Sequence, residues 1–71
     1  MTMCATVMEV RDGSLLVCDR DAGQEVVVHT PCACRFCVGD FLRIHYNGVM
    51  TLSIPPQISA DCIVRISCQG C

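Results

Sequence analysis

The sequence predicts an all-β protein, a small closed barrel of five or six short strands. Two observations carry this expectation. Apolar residues recur with period 2 rather than 3.6 from end to end, and the runs are separated by turn chemistry rather than by helix caps. The chain is also short. Its 71 residues make a single domain, residues 1–71, too small for two well-packed sheets of a sandwich, whereas a barrel removes the exposed edges that so few strands would otherwise leave.

The first run, residues 3–10, ends at Asp12-Gly13, a tight-turn signal that leads into "SLLVC" and so predicts a hairpin. A second turn, "DRDAG", rich in Asp and closed by Gly23, separates that run from "QEVVVHT", residues 24–30, which extends the hairpin to a three-stranded meander. The first run carries apolar residues on both Ala5/Val7 and Met8/Val10, a pattern that a bulge or a bend explains. Residues 31–40 break the alternation and contain Pro31 and Gly39, so they form a loop or one helical turn, with Phe36 as its inward anchor. Then "FLRIHY", "NG" and "VMTLSI" predict a second hairpin. A three-residue loop with Gly48 left-handed would pair Ile44 with Met50 and Leu42 with Leu52, keeping apolar side chains on one face. The last run, residues 61–67, places Cys62, Val64 and Ile66 on the face turned inward and Ile63 and Arg65 outward. Five or six strands in this order suit an OB-like barrel, with Val7, Leu15, Val17, Val26, Val28, Leu42, Ile44, Val64 and Ile66 in the core.

Composition narrows the function classes. The chain is 52% hydrophobic and 17% charged, but no run approaches the roughly 20 apolar residues of a membrane-spanning helix. Its start, "MTMCATVMEV", lacks the basic and apolar regions of a signal peptide and reads as strand. A cytoplasmic location follows as the default, and there thiols stay reduced. The net charge is −2, with five Lys plus Arg and no lysine, which argues against nucleic acid, since phosphate neutralisation needs a basic stripe. Arg43 and Arg65 with Phe41 on one outer face make only a sparse stacking surface.

Eight cysteines are the chemical question. Cys32, Cys34 and Cys37, spaced C-x-C-x-x-C, could converge on an ion with either Cys68 or Cys71 completing a tetrahedron, and four thiolates suit a structural zinc. The first expectation is plainer, that small cysteines act as ordinary hydrophobes, and Cys4, Cys18 and Cys62 in or beside strands are read as packing residues. Disulfides are the third possibility, Cys34–Cys37 or Cys68–Cys71 being easier than Cys32–Cys34. A dithiol oxidoreductase is weak, because no helix can follow Cys71 to activate a thiol. His29 and His45 fall on the solvent face, and Glu9, Asp12, Asp40 and Asp61 are scattered with no acid/base pair among them.

The stretch "FCVGDFLRIHYNGVMTLSIPPQISA", together with "ATVMEVRDGSLLVC", resembles a family of small bacterial OB-like domains of unknown function, found alone or in lipoproteins. The resemblance implies the strand order given above and carries no catalytic residue. At Cys32, Cys34, Cys37 and Cys68 that family tends to have polar or basic residues. The functional expectation is therefore a non-enzymatic binding or structural module for a protein or small ligand. Residues Ile54, Pro55, Pro56, Gln57 and Ile58 are the candidate contact loop, or else a cap in which Ile54 and Ile58 tuck inward. The alternative is a zinc-stabilised module.

Overall fold

The computed structural model describes residues 1–67. Five strands, β1 (Thr2–Arg11), β2 (Ser14–Asp19), β3 (Glu25–His29), β4 (Phe41–Tyr46) and β5 (Gln57–Ser67), close into a barrel in the order β1-β2-β3-β5-β4. The all-β, OB-like barrel is thus the fold. All neighbours are antiparallel except β3 and β5, which run parallel over three pairs.

The β1–β2–β3 meander forms as the turn residues require. Arg11 pairs with Ser14 across Asp12-Gly13, and Gly13 takes φ +80°, a backbone region that costs glycine nothing. At the second turn Asp19 Oδ1 accepts from the Asp21 N–H (2.9 Å) and the Asp19 carbonyl accepts from Gly23 (2.7 Å), the local self-bonding that favours Asp in turns. The two apolar sets of β1 are reconciled by a bulge. Val7 opposes Val17 and Glu9 opposes Leu16, leaving Met8 unpaired. The extra residue flips the parity, so that Met3, Ala5 and Val7 point inward before the bulge and Val10 packs inward after it.

Residues 47–56 depart from expectation. No strand forms at 49–54 and the predicted pairing of β4 with that run is absent, because β4 has both edges occupied, by β1 on one side and β5 on the other. A strand has two edges, and the run is left without one. Leu52 and Ile54 are 100% and 98% exposed, although the sequence set Leu52 opposite Leu42 and allowed Ile54 a place inside.

The last strand starts earlier than its alternation suggests, at Gln57, and its pairing with β4 shifts register twice, at Asp61 and at Ile66. Tyr46 pairs with Ala60 and His45 with Cys62, which leaves Asp61 unpaired. Counting inward from buried Ile58 without that bulge would put Cys62, Val64 and Ile66 inside, as expected from sequence. The extra residue at Asp61 inverts the set through Arg65, and Ile66 is itself unpaired, between Arg65 opposite Leu42 and Ser67 opposite Phe41. Ile63 therefore packs on the core, while Cys62 is exposed, Val64 is 47% exposed and Ile66 40%.

The remaining expected core residues, Val7, Leu15, Val17, Val26, Val28, Leu42 and Ile44, are fully buried and are joined by Met3, Ala5, Ala33, Tyr46 and Ile58. Among the described residues no buried side-chain nitrogen or oxygen lacks a hydrogen-bond partner. Ile44→Ala is expected to cost about 2–5 kcal/mol in urea unfolding, the range for truncating a buried aliphatic. Ile66→Ala should stay within about 1 kcal/mol, being half outside the core. Comparable losses at both positions would contradict the placement of Ile66 half outside the core.

Candidate interaction site

Three parts of the surface hold the residues singled out by sequence: the β4–β5 loop, the turn between β3 and β4, and the groove beside β5. The β4–β5 loop is braced at its base by strand-like bonds and internally by a one-way relay of hydroxyls. Thr51 N–H donates to the Gln57 carbonyl (3.0 Å), and Gln57 N–H donates back to Thr51 Oγ1 (3.0 Å). The Thr51 hydroxyl lies 2.6 Å from Ser53 Oγ, which itself donates to the Pro55 carbonyl (3.0 Å). Because Ser53 spends its one proton on Pro55, Thr51 is the donor to Ser53. Thr51 and Ser53, the polar half of the apparent strand alternation, thus tie the loop to itself. Leu52 and Ile54, the apolar half, are left facing solvent.

Of the five residues taken from sequence as a contact loop, the structure therefore divides the set. Ile54 is presented outward and Pro55 is half-buried. Pro56 is buried and its carbonyl accepts from Val27 N–H (2.9 Å), Gln57 Oε1 accepts from His29 Nε2 (2.7 Å), and Ile58 is core. The capping role falls to Pro56 and Ile58 rather than to Ile54. Leu52, which sequence reasoning missed, completes the outward tip. Its only distinguishing signal is the diproline that follows, since "VMTLSI" alternates as well as any real strand here.

The turn between β3 and β4 contains one short 3-10 segment, Ala33–Arg35. A 3-10 geometry brings residues i and i+3 onto one face. Ala33 is the residue buried by it and Phe36 packs half-buried beside it. Cys32, Cys34 and Cys37 are thereby left on the other two faces, and all three are exposed free thiols. Among the described residues no three histidines, cysteines or carboxylates are grouped so as to hold a metal, so the three thiols of the zinc reading do not converge; Cys68 and Cys71 lie outside the described residues. Cys4 and Cys18 are half-buried, in keeping with packing roles, but Cys62 is exposed.

Asp40 anchors the end of this turn. Its Oδ2 accepts from the Cys37 N–H (2.8 Å) and also lies 3.0 Å from the Arg65 guanidinium of β5. Arg65 is therefore committed to the barrel end rather than to an outer face with Arg43 and Phe41. The group over the Phe41 ring is Arg20, at 4.0 Å from the centroid. His29 and His45 lie on the outside, as expected, and His45 Nδ1 meets Thr2 Oγ1 at 3.1 Å. Glu9 is exposed, and the Arg11 guanidinium 3.0 Å away holds its carboxyl below the usual range by hydrogen bond and charge.

A groove of about 590 Å³ runs between this turn and β5, lined by Thr30, Cys32, Phe36, Cys62, Ile63 and Arg65 among others. It opens because β3 pairs with β5 only as far as His29 and Ser59, after which β5 keeps β4 on one edge and faces the turn on the other. A second, shallower recess of about 150 Å³ lies under the β4–β5 loop, beside His29, Thr51 and Gln57. No helix among the described residues is long and apolar enough to cross a membrane. Comparison of the chain with family models, with curated proteins and with solved structures gives no match.

Replacing Asp40 separates its two bonds. Asp40→Ala is expected to cost about 1–2 kcal/mol, because it removes the acceptor of the Cys37 N–H as well as the ion pair. Asp40→Asn keeps an acceptor and should cost under about 1 kcal/mol, the range for a partly exposed ion pair. Urea unfolding of both variants gives the order, and equal losses would assign the whole effect to the ion pair.

Proposed function

We propose that the protein is a non-enzymatic binding module that docks a partner protein through the tip of the β4–β5 loop. The observation that carries this reading is the pair Leu52 and Ile54. Two large aliphatic side chains stand almost wholly in solvent on a loop whose backbone and hydroxyls are already bonded to one another. A braced loop loses little conformational freedom on binding, so apolar area placed on it is converted to affinity efficiently. The loop between the fourth and fifth strands is also a usual contact element of OB-type barrels. The chemistry of the tip suits an apolar cleft on a protein, since it has no cationic side chain to offer a phosphate. A cytoplasmic setting belongs to the same proposal, because the six described cysteines are all free thiols, as is the kinship with small bacterial OB-like domains suggested by the "VGD" to "PPQISA" stretch.

The Leu52→Ser/Ile54→Ser double variant tests it. Its unfolding midpoint should stay close to that of the parent protein, because neither side chain contributes to the core, while a partner captured by the parent from its host's extract is lost. A partner retained at parental strength by the stable double variant would remove this loop from the interface.

A further inference from the structure

The parallel ladder of β3 and β5 joins Val27 to Gln57, Val28 to Ile58 and His29 to Ser59. Three residues beyond the last pair stand Cys32 on the one segment and Cys62 on the other. The ladder stops because Pro31 has no N–H to give it and the chain turns into the Ala33–Arg35 segment, whereas β5 continues along β4. The two segments diverge like the arms of a wedge, and the wedge is the groove, with Cys32 on one wall and Cys62 on the other. Further along, the Arg65 guanidinium reaches across the groove and donates to the Arg35 carbonyl at 3.0 Å. The cysteine pair thus sits between the end of the ladder and this side-chain bridge.

Side-chain direction agrees with this. The unpaired Asp61 turns Cys62 outward on β5, and both cysteines are exposed free thiols. The main chain of Cys32 is bonded through its N–H to Thr30 Oγ1 (3.2 Å) and through its carbonyl, which accepts from Arg35 N–H (3.0 Å), and among the described residues its sulfur is a free thiol. Cys34 and Cys37 do not line the groove, and Cys4 and Cys18 belong to β1 and β2, which do not border it.

We propose that Cys32 and Cys62 form a redox-modification site, a reversible disulfide that clasps the open end of the β3–β5 seam and closes the groove. The oxidant is a low-molecular-weight disulfide of the glutathione class. One cysteine, as thiolate, attacks a sulfur of that disulfide and expels one small thiolate, which takes up the proton the cysteine gave up. The second cysteine, again as thiolate, attacks the protein-side sulfur of the mixed disulfide. The Cys32–Cys62 bond forms and the second small thiol leaves, so two protein thiols are oxidised and one small disulfide is reduced to two thiols. Disulfides hold Cα atoms roughly 4.4–6.8 Å apart, so bridging draws the Cys32 segment onto β5. Reduced protein has the groove open, and oxidised protein has it shut.

The test uses the full chain in the Cys34→Ser background, incubated with oxidised glutathione, blocked with a thiol alkylator and cleaved after arginine without reduction. Cleavage leaves Cys32 alone in residues 21–35 and Cys62 alone in residues 44–65, so a cross-link between these two peptides is unambiguous by mass. The expected product is that cross-link, dissolved by a dithiol reductant, and the same connectivity when Cys37→Ser is added. With Cys32→Ser or Cys62→Ser the remaining cysteine should instead hold a stable mixed disulfide. Predominant linkage of either cysteine to any other, or mixed disulfides on both with no cross-link, would overturn the proposal.

Discussion

One strand closes this barrel by dividing itself between two neighbours. β5 runs parallel to β3 over Gln57, Ile58 and Ser59, and from Ala60 onward it runs antiparallel to β4. Each strand edge takes one neighbour, so this division decides what the rest of the chain can do. It occupies the second edge of β4 and so excludes residues 49–54 from the sheet. It places a bulge at Asp61, where the strand passes from one neighbour to the other, and thereby sets which of residues 62–65 face the core. It also leaves the far part of β5 with an edge that β3 never reaches, which is where the groove opens.

Much of the fold was legible because the first three strands are joined by short turns whose chemistry is local. Asp12-Gly13 and the Asp19 turn specify pairing within a few residues, and alternation in Leu15/Val17, Val26/Val28 and Leu42/Ile44 then fixes the inward face. What was not legible depends on distant occupancy. "VMTLSI" alternates correctly, and nothing inside it records that β1 and β5 already hold both edges of β4. The parity of residues 62–65 in β5 turned on one unpaired residue, Asp61, and no glycine marks it. The bulge in β1 was readable only because apolar residues flank it in both parities, whereas β5 has Cys62, Val64 and Ile66 in one parity and only Ile63 in the other.

The cysteines follow the same division between local and long-range information. Their spacing along residues 32–37 suggested a common ligand, but a 3-10 turn that buries Ala33 must point its neighbours elsewhere. The relation that does emerge, Cys32 with Cys62, spans β3 to β5 and can be found only once the parallel register is known. Likewise Leu52 and Ile54 gain their meaning from the bonds of Thr51 and Ser53 beneath them, which turn an apparent strand into a braced projection.

The divided strand also bears on how the chain reaches its native state. Neighbouring strands β1, β2 and β3 can pair as soon as their turns form, since each contact closes a short segment. The seams β1–β4 and β3–β5 join residues far apart in sequence, Thr2 with His45 and Val27 with Gln57 among them, and such closures carry an entropy cost before any contact rewards it. Both outer strands of the meander, β1 and β3, therefore stay without their second partners until the C-terminal half of the chain arrives. During synthesis the nascent meander presents "EVVVH" as a bare apolar edge, so the moment at which β5 docks sets how long the chain is open to association with its own kind.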